Sequence, residues 1–328
     1  MVGVKMRKLS NSFMSDLMLA DGNGRLYPIL ERVRQDETLM LAIREDYINI
    51  YYRGGNLLRV EEQTNGSYLS FFDDQYDKSG KGFGVPAHIE NNRDAKLWVE
   101  AFPRLKEAMD LFLAKHNKPE REFQQVVARE NNCSTISNES EYFITDIELA
   151  DSGLGARFDM LAICWPADSR TTGSKCRAAI IEMKYGDGAL GGTAGLRKHL
   201  EDIDKLIADR IKYGELLQTM ESQFKQLHEL GILRYNECSN GAKAKLDAGE
   251  KPDVMFVLAN HNPRSKALET ILCDPAFDMY EQAQRFTLKF FVASYSGYGM
   301  HEACMFSLNE FRTILKTNSR KRGTACPA

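Results

Sequence analysis

Residues 157–163 read RFDMLAI and residues 178–184 read AAIIEMK, and these two short apolar runs decide the fold of the chain. Each run is continuous and of strand length, which is typical of a strand buried on both faces of a sheet. Each also carries charged side chains. Burying a carboxylate or an ammonium group among isoleucines is costly unless the charge is paired or binds a metal ion. We therefore expect these charges to have a chemical role.

The charged residues in these runs are spaced for a common site. Side chains alternate between the two faces of a strand, so Ile180, Glu182 and Lys184 share one face of the second run. Asp159 supplies a further acid from inside the preceding run. Two carboxylates can hold a hard divalent cation such as Mg²⁺, and a lysine beside them can orient or activate a water molecule.

At these residues the chain resembles the PD-(D/E)XK nuclease superfamily, which has the restriction-endonuclease-like fold. The matching residues are Asp159 on the second core strand and Glu182-Met183-Lys184 on the third. Phe158 stands where the family's proline often is, a departure that is common in the superfamily. The resemblance covers roughly residues 119–296 and does not explain the N-terminal third.

The resemblance implies an α/β fold, a restriction-endonuclease-like mixed sheet flanked by helices, preceded by an N-terminal α+β module. We place the boundary at the sequence HNKP, residues 116–119. Residues 1–118 then form a module for the choice of substrate or partner, and residues 119–328 form the nuclease-like domain. A chain that begins near Asn117 is expected to keep the nuclease core folded.

The resemblance also implies a metal-dependent nuclease that hydrolyses phosphodiester bonds, with DNA as the expected substrate. Asp159 and Glu182 would hold Mg²⁺, for which Mn²⁺ can substitute, and a backbone carbonyl near Met183 would be a further ligand. Lys184 would position the attacking water and offset charge in the transition state. Bacterial or phage defence against invading DNA is a setting that suits such an enzyme.

Two helices supply further candidates for this site. In the superfamily, an acid on the helix before the first core strand often joins the metal site, and here Glu122 is the candidate with Glu120 as the fallback. Either could equally be a solvated glutamate favoured by the helix dipole. A polar or basic residue on the helix after the third core strand often lies near the site, and Lys198 is the best match. His199 reads as a polar surface residue.

Two other classes of function stay open at this point. The chain could be a nucleic-acid-binding module that kept the fold but lost catalysis, or an interaction protein in which Glu182 and Lys184 form a structural ion pair. Binding of Mg²⁺ that depends on Asp159 separates the first two readings from the third, and turnover separates the nuclease from the binding module.

The composition sets limits on partners and location. The net charge of −3 over 328 residues gives no global signal for nucleic acid, although a local basic patch can supply phosphate attraction. Seven cysteines without a C-x-x-C pair predict free thiols in a reducing, cytoplasmic compartment. No apolar run approaches about 18 residues, so no membrane span is expected. A homodimer or a partner protein that supplies other activities is compatible with the sequence.

Periodicity predicts the remaining elements. Asp146 and Glu148 are interpreted as solvent-side charges on an outer strand. Pro103 is expected to kink or interrupt its helix, and Gly214 to break a long one. The predicted helices are 10–20, 28–35, 94–115, 120–131, 196–230, 281–286 and 307–316, and the predicted strands are 38–44, 47–53, 56–61, 68–72, 141–149, 157–163, 178–184, 254–259 and 289–294.

Overall fold

The structure is a computed structural model of the whole chain. It describes residues 6–20, 23–77, 82–133, 140–151, 156–170, 175–192, 195–235, 244–262, 266–293, 297 and 299–323. Two five-stranded sheets lie one after the other along the sequence, and helices pack against both. The chain is therefore of the mixed α/β class, as predicted.

The first sheet is an antiparallel meander in which each strand pairs with the next one along the chain. Its strands are β1 (Leu39–Ile43), β2 (Tyr47–Tyr52), β3 (Gly55–Glu62), β4 (Tyr68–Phe71) and β5 (His88–Ile89). The four predicted strands are confirmed, and the short β5 was not predicted. The β2–β3 turn uses Arg53 and Gly54, with φ values of 49° and 71°. Two successive residues with positive φ match the right-handed twist of a tight hairpin.

Three helices cover this meander: α1 (Asn11–Met18), α2 (Tyr27–Gln35) and α3 (Asn92–Leu113). α3 begins with a capping box, in which the Asn91 side chain accepts from the backbone N–H of Asp94 and the Asp94 side chain accepts from that of Asn91. The helix continues through Pro103, so of the predicted kink or interruption, the interruption is wrong. Burial of Trp98, Phe102 and Leu105 on its inner face outweighs the single backbone hydrogen bond that proline removes.

The second sheet is mixed and has the order β10-β9-β8-β7-β6. Its strands are β6 (Tyr142–Asp151), β7 (Ala156–Cys164), β8 (Arg177–Tyr185), β9 (Asp253–Ala259) and β10 (Thr287–Val292). β6, β7 and β8 are antiparallel neighbours, whereas β8, β9 and β10 run parallel. β8 lies at the centre, and its residues from Ala178 to Lys184 are all buried, as its apolar run predicted.

Helices cover both faces of this sheet. They are α4 (Pro119–Asn132), α5 (Leu196–Ala208), α6 (Arg210–Glu229), α7 (Ala267–Leu272) and α8 (Leu308–Gly323). Ile181 and Met183 pack with Val127 of α4, and Ile180 packs on the other face with Leu200 of α5. The alternation expected for β8 is thus observed.

Several predicted helices end elsewhere. The helix predicted for 196–230 is two helices, because the Asp209 side chain caps the start of α6, while Gly214 lies inside that helix. The helix predicted at 281–286 is wrong, and α7 with a 3₁₀ segment at Pro275–Tyr280 precedes β10 instead. The capping box at Ser307 and Glu310 is confirmed at the start of α8. No helix in the described ranges is both long and apolar enough to cross a membrane.

The two halves of the chain share their hydrophobic packing. The predicted boundary at residue 118 falls between α3 and α4, and the two sheets lie on either side of it in sequence. One cluster, however, combines residues of the first half with Phe143, Trp165 and Phe224. A second joins Met40 and Ala42 to the β6–β10 sheet. The boundary therefore separates two sheets but not two cores.

Candidate metal and catalytic site

The site begins where β7 and β8 stop pairing. Their ladder runs from Cys164 opposite Arg177 to Met160 opposite Ile181, and Asp159 is the next residue. Instead of a strand partner, the backbone N–H of Met183 donates to Oδ2 of Asp159 at 2.9 Å. The Asp159 carboxylate therefore lies between the ends of the two central strands, within reach of the next residues on β8.

Glu182 and Lys184 share the face of β8 that packs toward α5. The side chain of Glu182 is 1% exposed and that of Lys184 is 5% exposed, and Lys184 Nζ lies 3.9 Å from Glu182 Oε2. His199, in the first turn of α5, lies beside both. Its Nδ1 is 3.1 Å from Glu182 Oε2 and its Nε2 is 3.1 Å from Lys184 Nζ. One carboxylate, one ammonium group and one imidazole thus form a compact group next to Asp159.

The Glu182 carboxylate has an unusual environment. Among the described residues, neither Oε1 nor Oε2 accepts a hydrogen bond of normal geometry, although both oxygens are buried. Contacts with the side chain and backbone of Asp159 nevertheless lower the pKa of Glu182. His199 is close to Oε2 but not in a good hydrogen-bonding orientation. Leaving a buried carboxylate without hydrogen bonds is costly, and such groups are normally paired or coordinate a metal ion. Two buried carboxylate oxygens without a hydrogen bond of normal geometry therefore fit a bound cation.

Both central acids hold their protons more tightly than usual. Burial raises the pKa of Asp159 to about 7, and the nearby charge of Glu182 acts in the same direction. Burial likewise raises the pKa of Glu182 to about 7, against the attraction of Lys184. Acids whose pKa values are shifted this far by burial are common at catalytic and metal-binding sites.

Glu120, the fallback candidate, faces this group from the first turn of α4. Burial raises its pKa, the charge of Asp159 raises it further, and Lys184 and His199 oppose the rise. Proximity to the backbone N–H of Tyr185 also opposes the rise. These interactions bring a third carboxyl group close to Asp159, one that the sequence ranked second.

Glu122 and Lys198 lie away from the group. Oε1 of Glu122 accepts from Arg53 Nε at 2.8 Å, which directs this side chain to the β2–β3 turn. Lys198 is 48% exposed and forms an i,i+4 pair with Asp202 on its own helix. The basic residue that α5 does bring to the site is His199. A signal for it existed, because His199 is three residues after Leu196 and four before Ile203, and both of those side chains are buried.

The donor set suits a hard divalent cation. In the described part of the chain, no three His, Cys, Asp or Glu side chains form a ready-made metal cage. Mg²⁺ seldom requires one, since proteins commonly bind it through one or two carboxylates together with water and substrate phosphate oxygens. Asp159, Glu182 and the backbone carbonyl of Met183 are all oxygen donors. The set therefore fits Mg²⁺ or Mn²⁺ rather than a metal that prefers thiolate or imidazole.

A separate pocket lies between α2, β1 and α4, away from these acids. Its lining includes Arg34, Met40, Arg129 and Cys133. The thiol of Cys133 is close to the carbonyl oxygen of Ile232, and burial raises its pKa to about 11. A thiol with so high a pKa is a poor nucleophile near neutral pH, so the pocket adds no reactive group.

Comparisons of this chain with protein-family models, with curated proteins and with solved structures found no match. Its function is therefore inferred from the residues and contacts of this chain.

Proposed function

We propose that this protein is a metal-dependent nuclease that hydrolyses phosphodiester bonds of DNA. The observation that carries the proposal is the buried Glu182 carboxylate, which has no hydrogen-bond partner of normal geometry in the described structure, 3.9 Å from Lys184 and beside Asp159. A structural ion pair would normally satisfy its carboxylate oxygens. A buried acid without such hydrogen bonds, at the point where β7 and β8 stop pairing, is suited to bind a metal ion.

The order of elements supports the same proposal. α4 carries Glu120 and precedes β6, Asp159 lies on the second strand of the mixed sheet, and Glu182 and Lys184 lie on the third. His199 follows on the next helix. These are the positions at which the PD-(D/E)XK resemblance expects its acids, its lysine and its accessory polar residue, so we propose the restriction-endonuclease-like fold for residues 119–296.

Each side chain has a distinct task in the proposed reaction. A divalent cation held by Asp159 and Glu182 would polarise the scissile phosphate and lower the pKa of a bound water. Lys184 would orient that water through its ammonium group and offset the negative charge that develops on the oxygens of the phosphate. His199, with Nε2 unprotonated, accepts a hydrogen bond from Lys184 Nζ and restricts the direction of the ammonium group.

The raised pKa values of the two acids connect cation binding to pH. Asp159 and Glu182 each have a pKa of about 7, so without a cation they hold protons near neutral pH. Ligands must be deprotonated to bind a metal ion, and binding therefore releases protons. We expect cation affinity to rise with pH between about 6 and 8.

The test is digestion of supercoiled plasmid, linear duplex and single-stranded DNA with Mg²⁺ or Mn²⁺. Wild-type protein should cut in a metal-dependent manner, and Asp159→Ala and Glu182→Ala should abolish cleavage while the fold stays intact. Glu122→Ala is the matched control, because Glu122 pairs with Arg53 and should leave most of the activity. Cleavage by Asp159→Ala at the wild-type rate would contradict the assigned site. DNA binding by the wild type without turnover would indicate a binding module instead.

A further inference from the structure

Two arginines from different elements converge on one carboxylate near the proposed site. Arg121 Nη2, from α4, lies 3.1 Å from Oε2 of Glu148. Arg157 Nη2, from β7, contacts the same oxygen. The arginine side chains are 41% and 54% exposed, whereas that of Glu148 is 17% exposed. The two guanidinium groups are therefore accessible to solvent, whereas the Glu148 carboxylate is mostly covered. Together the three side chains carry a net charge of +1.

The sequence positions of these residues place the group beside the catalytic acids. Arg121 follows Glu120 on α4, and Arg157 lies two residues before Asp159 on β7, which is about 7 Å along the strand. The register of β6 on β7 pairs Ile147 with Met160 and Leu149 with Phe158, which places Glu148 opposite Asp159.

The chemistry of this group fits a phosphodiester backbone. A guanidinium group carries five N–H donors, and the shared Glu148 oxygen occupies only part of that capacity. Holding two guanidinium groups on one carboxylate also reduces their mutual repulsion and their freedom before a ligand arrives. In a chain with a net charge of −3, such a local excess of positive charge is what a DNA strand needs to approach buried acids.

We propose that Arg121 and Arg157 form a phosphate-binding pair that holds the DNA strand next to the scissile phosphate. Glu148 fixes both guanidinium groups when no DNA is present. The proposal rests on the proposed nuclease function for the identity of the strand. Its test measures binding alone, so that the two can fail separately.

The experiment is fluorescence anisotropy of a short labelled DNA duplex in Ca²⁺, at several salt concentrations. Arg121→Gln and Arg157→Gln should each weaken binding and lower the slope of log affinity against log salt by about 0.9 for each phosphate that is no longer neutralised. The conservative Arg157→Lys should restore most of the slope, because it keeps the charge.

Arg285→Gln is the matched control. Arg285 is 52% exposed and paired with Asp204. It lies just before β10, at the N-terminal end of the parallel strands, whereas Lys184 lies near their C-terminal end. This variant should bind DNA with the wild-type slope.

The outcomes separate the two proposals. If Arg121→Gln and Arg157→Gln bind DNA with unchanged affinity and salt slope while the wild type cuts DNA, the phosphate-binding pair is overturned and the nuclease proposal is retained. Binding that depends on both arginines without any cleavage would overturn the nuclease and keep the pair. A lower melting temperature with an unchanged salt slope would make the pair structural, and absence of DNA binding would overturn both proposals.

Discussion

Arg44, immediately after β1, donates hydrogen bonds to the Asp146 carboxylate and to the carbonyl oxygen of Ile147 on β6, and it thereby joins the two sheets. The Arg44 side chain is 5% exposed and that of Asp146 is fully buried. Burial opposes the charge of Arg44, but Asp146, together with the neighbouring Tyr51, raises the pKa of the guanidinium group above its usual value. Asp146 also accepts from Arg7 at 2.7 Å and from Gln223 at 3.0 Å.

Removing Arg44 should destabilise the protein strongly. Arg44→Met keeps much of the volume but deletes a charged partner of a buried carboxylate, and breaking a buried pair in this way costs about 3–5 kcal/mol. Urea unfolding followed by circular dichroism measures the change. Arg285→Ala, which breaks an exposed pair with Asp204, should cost less than about 1 kcal/mol. Equal midpoints for Arg44→Met and the wild type would show that this pair does not stabilise the contact between the sheets.

A chain that begins near Asn117 should not fold by itself. The sequence predicts a separable nuclease core, but Phe143, Trp165 and Phe224 pack in one cluster with residues of the first half. Truncation exposes these aromatic side chains to water, which favours aggregation. Solubility after expression and the near-ultraviolet circular dichroism of any soluble fraction measure the outcome. A soluble truncated chain with a cooperative melting transition would contradict the shared core.

Neutralising Glu182 should stabilise the metal-free protein at alkaline pH. The pKa of Glu182 is about 7 in the folded protein against an ordinary value of 4.5, so ionisation favours the unfolded state. Wild-type stability therefore falls as pH rises from about 4.5 to about 7 and stays low above that range. Glu182→Gln removes the part of this dependence that is due to Glu182, and its advantage above pH 7 is on the order of 3 kcal/mol.

Melting temperatures measured in a chelator across this pH range check that prediction. Adding Mn²⁺ should raise the melting temperature of the wild type and leave that of Glu182→Gln nearly unchanged, since a ligand that binds the folded state stabilises it. A wild type that becomes more stable between pH 5 and 8 in the chelator, relative to the variant, would contradict the raised pKa of Glu182.

Lys184→Met should separate catalysis from binding. The variant keeps the bulk of the stem and deletes the ammonium group that lies 3.9 Å from Glu182 Oε2. An interaction made in the transition state affects kcat with little effect on ground-state binding. We expect near-wild-type DNA affinity in Ca²⁺ and cleavage in Mg²⁺ that is at least about a hundredfold slower. Equal losses in affinity and rate would make Lys184 a phosphate anchor.

His199 and Lys198 are neighbours that should respond differently to substitution. His199→Gln disturbs the contact with Lys184 Nζ, and we expect cleavage to slow by about tenfold or more. Lys198→Gln removes an exposed i,i+4 pair with Asp202 and should leave the rate within about twofold of the wild type. Single-turnover cleavage in Mg²⁺ measures both. A larger loss in Lys198→Gln than in His199→Gln would restore Lys198 as the basic residue of the site.

The amino-acid sequence alone determined the central strand and the residues that share its face. A continuous apolar run of strand length is buried wherever it lies, and the alternation that places Glu182 beside Lys184 is a property of neighbouring residues. That Asp159 lies beside this strand was also expected from the two adjacent runs. These features depend on short-range periodicity, so they could be inferred without the fold.

Only the tertiary structure decided which charged side chains reach the site. Glu122 is held by Arg53, 69 residues earlier in the chain, and this leaves Glu120 as the acid that α4 presents to Asp159. Asp146, predicted to face solvent, is fully buried because Arg44, 102 residues earlier, lies against it. Periodicity shows which residues share a face, but the cover of each face comes from elements that are distant in sequence, and no local pattern encodes that packing.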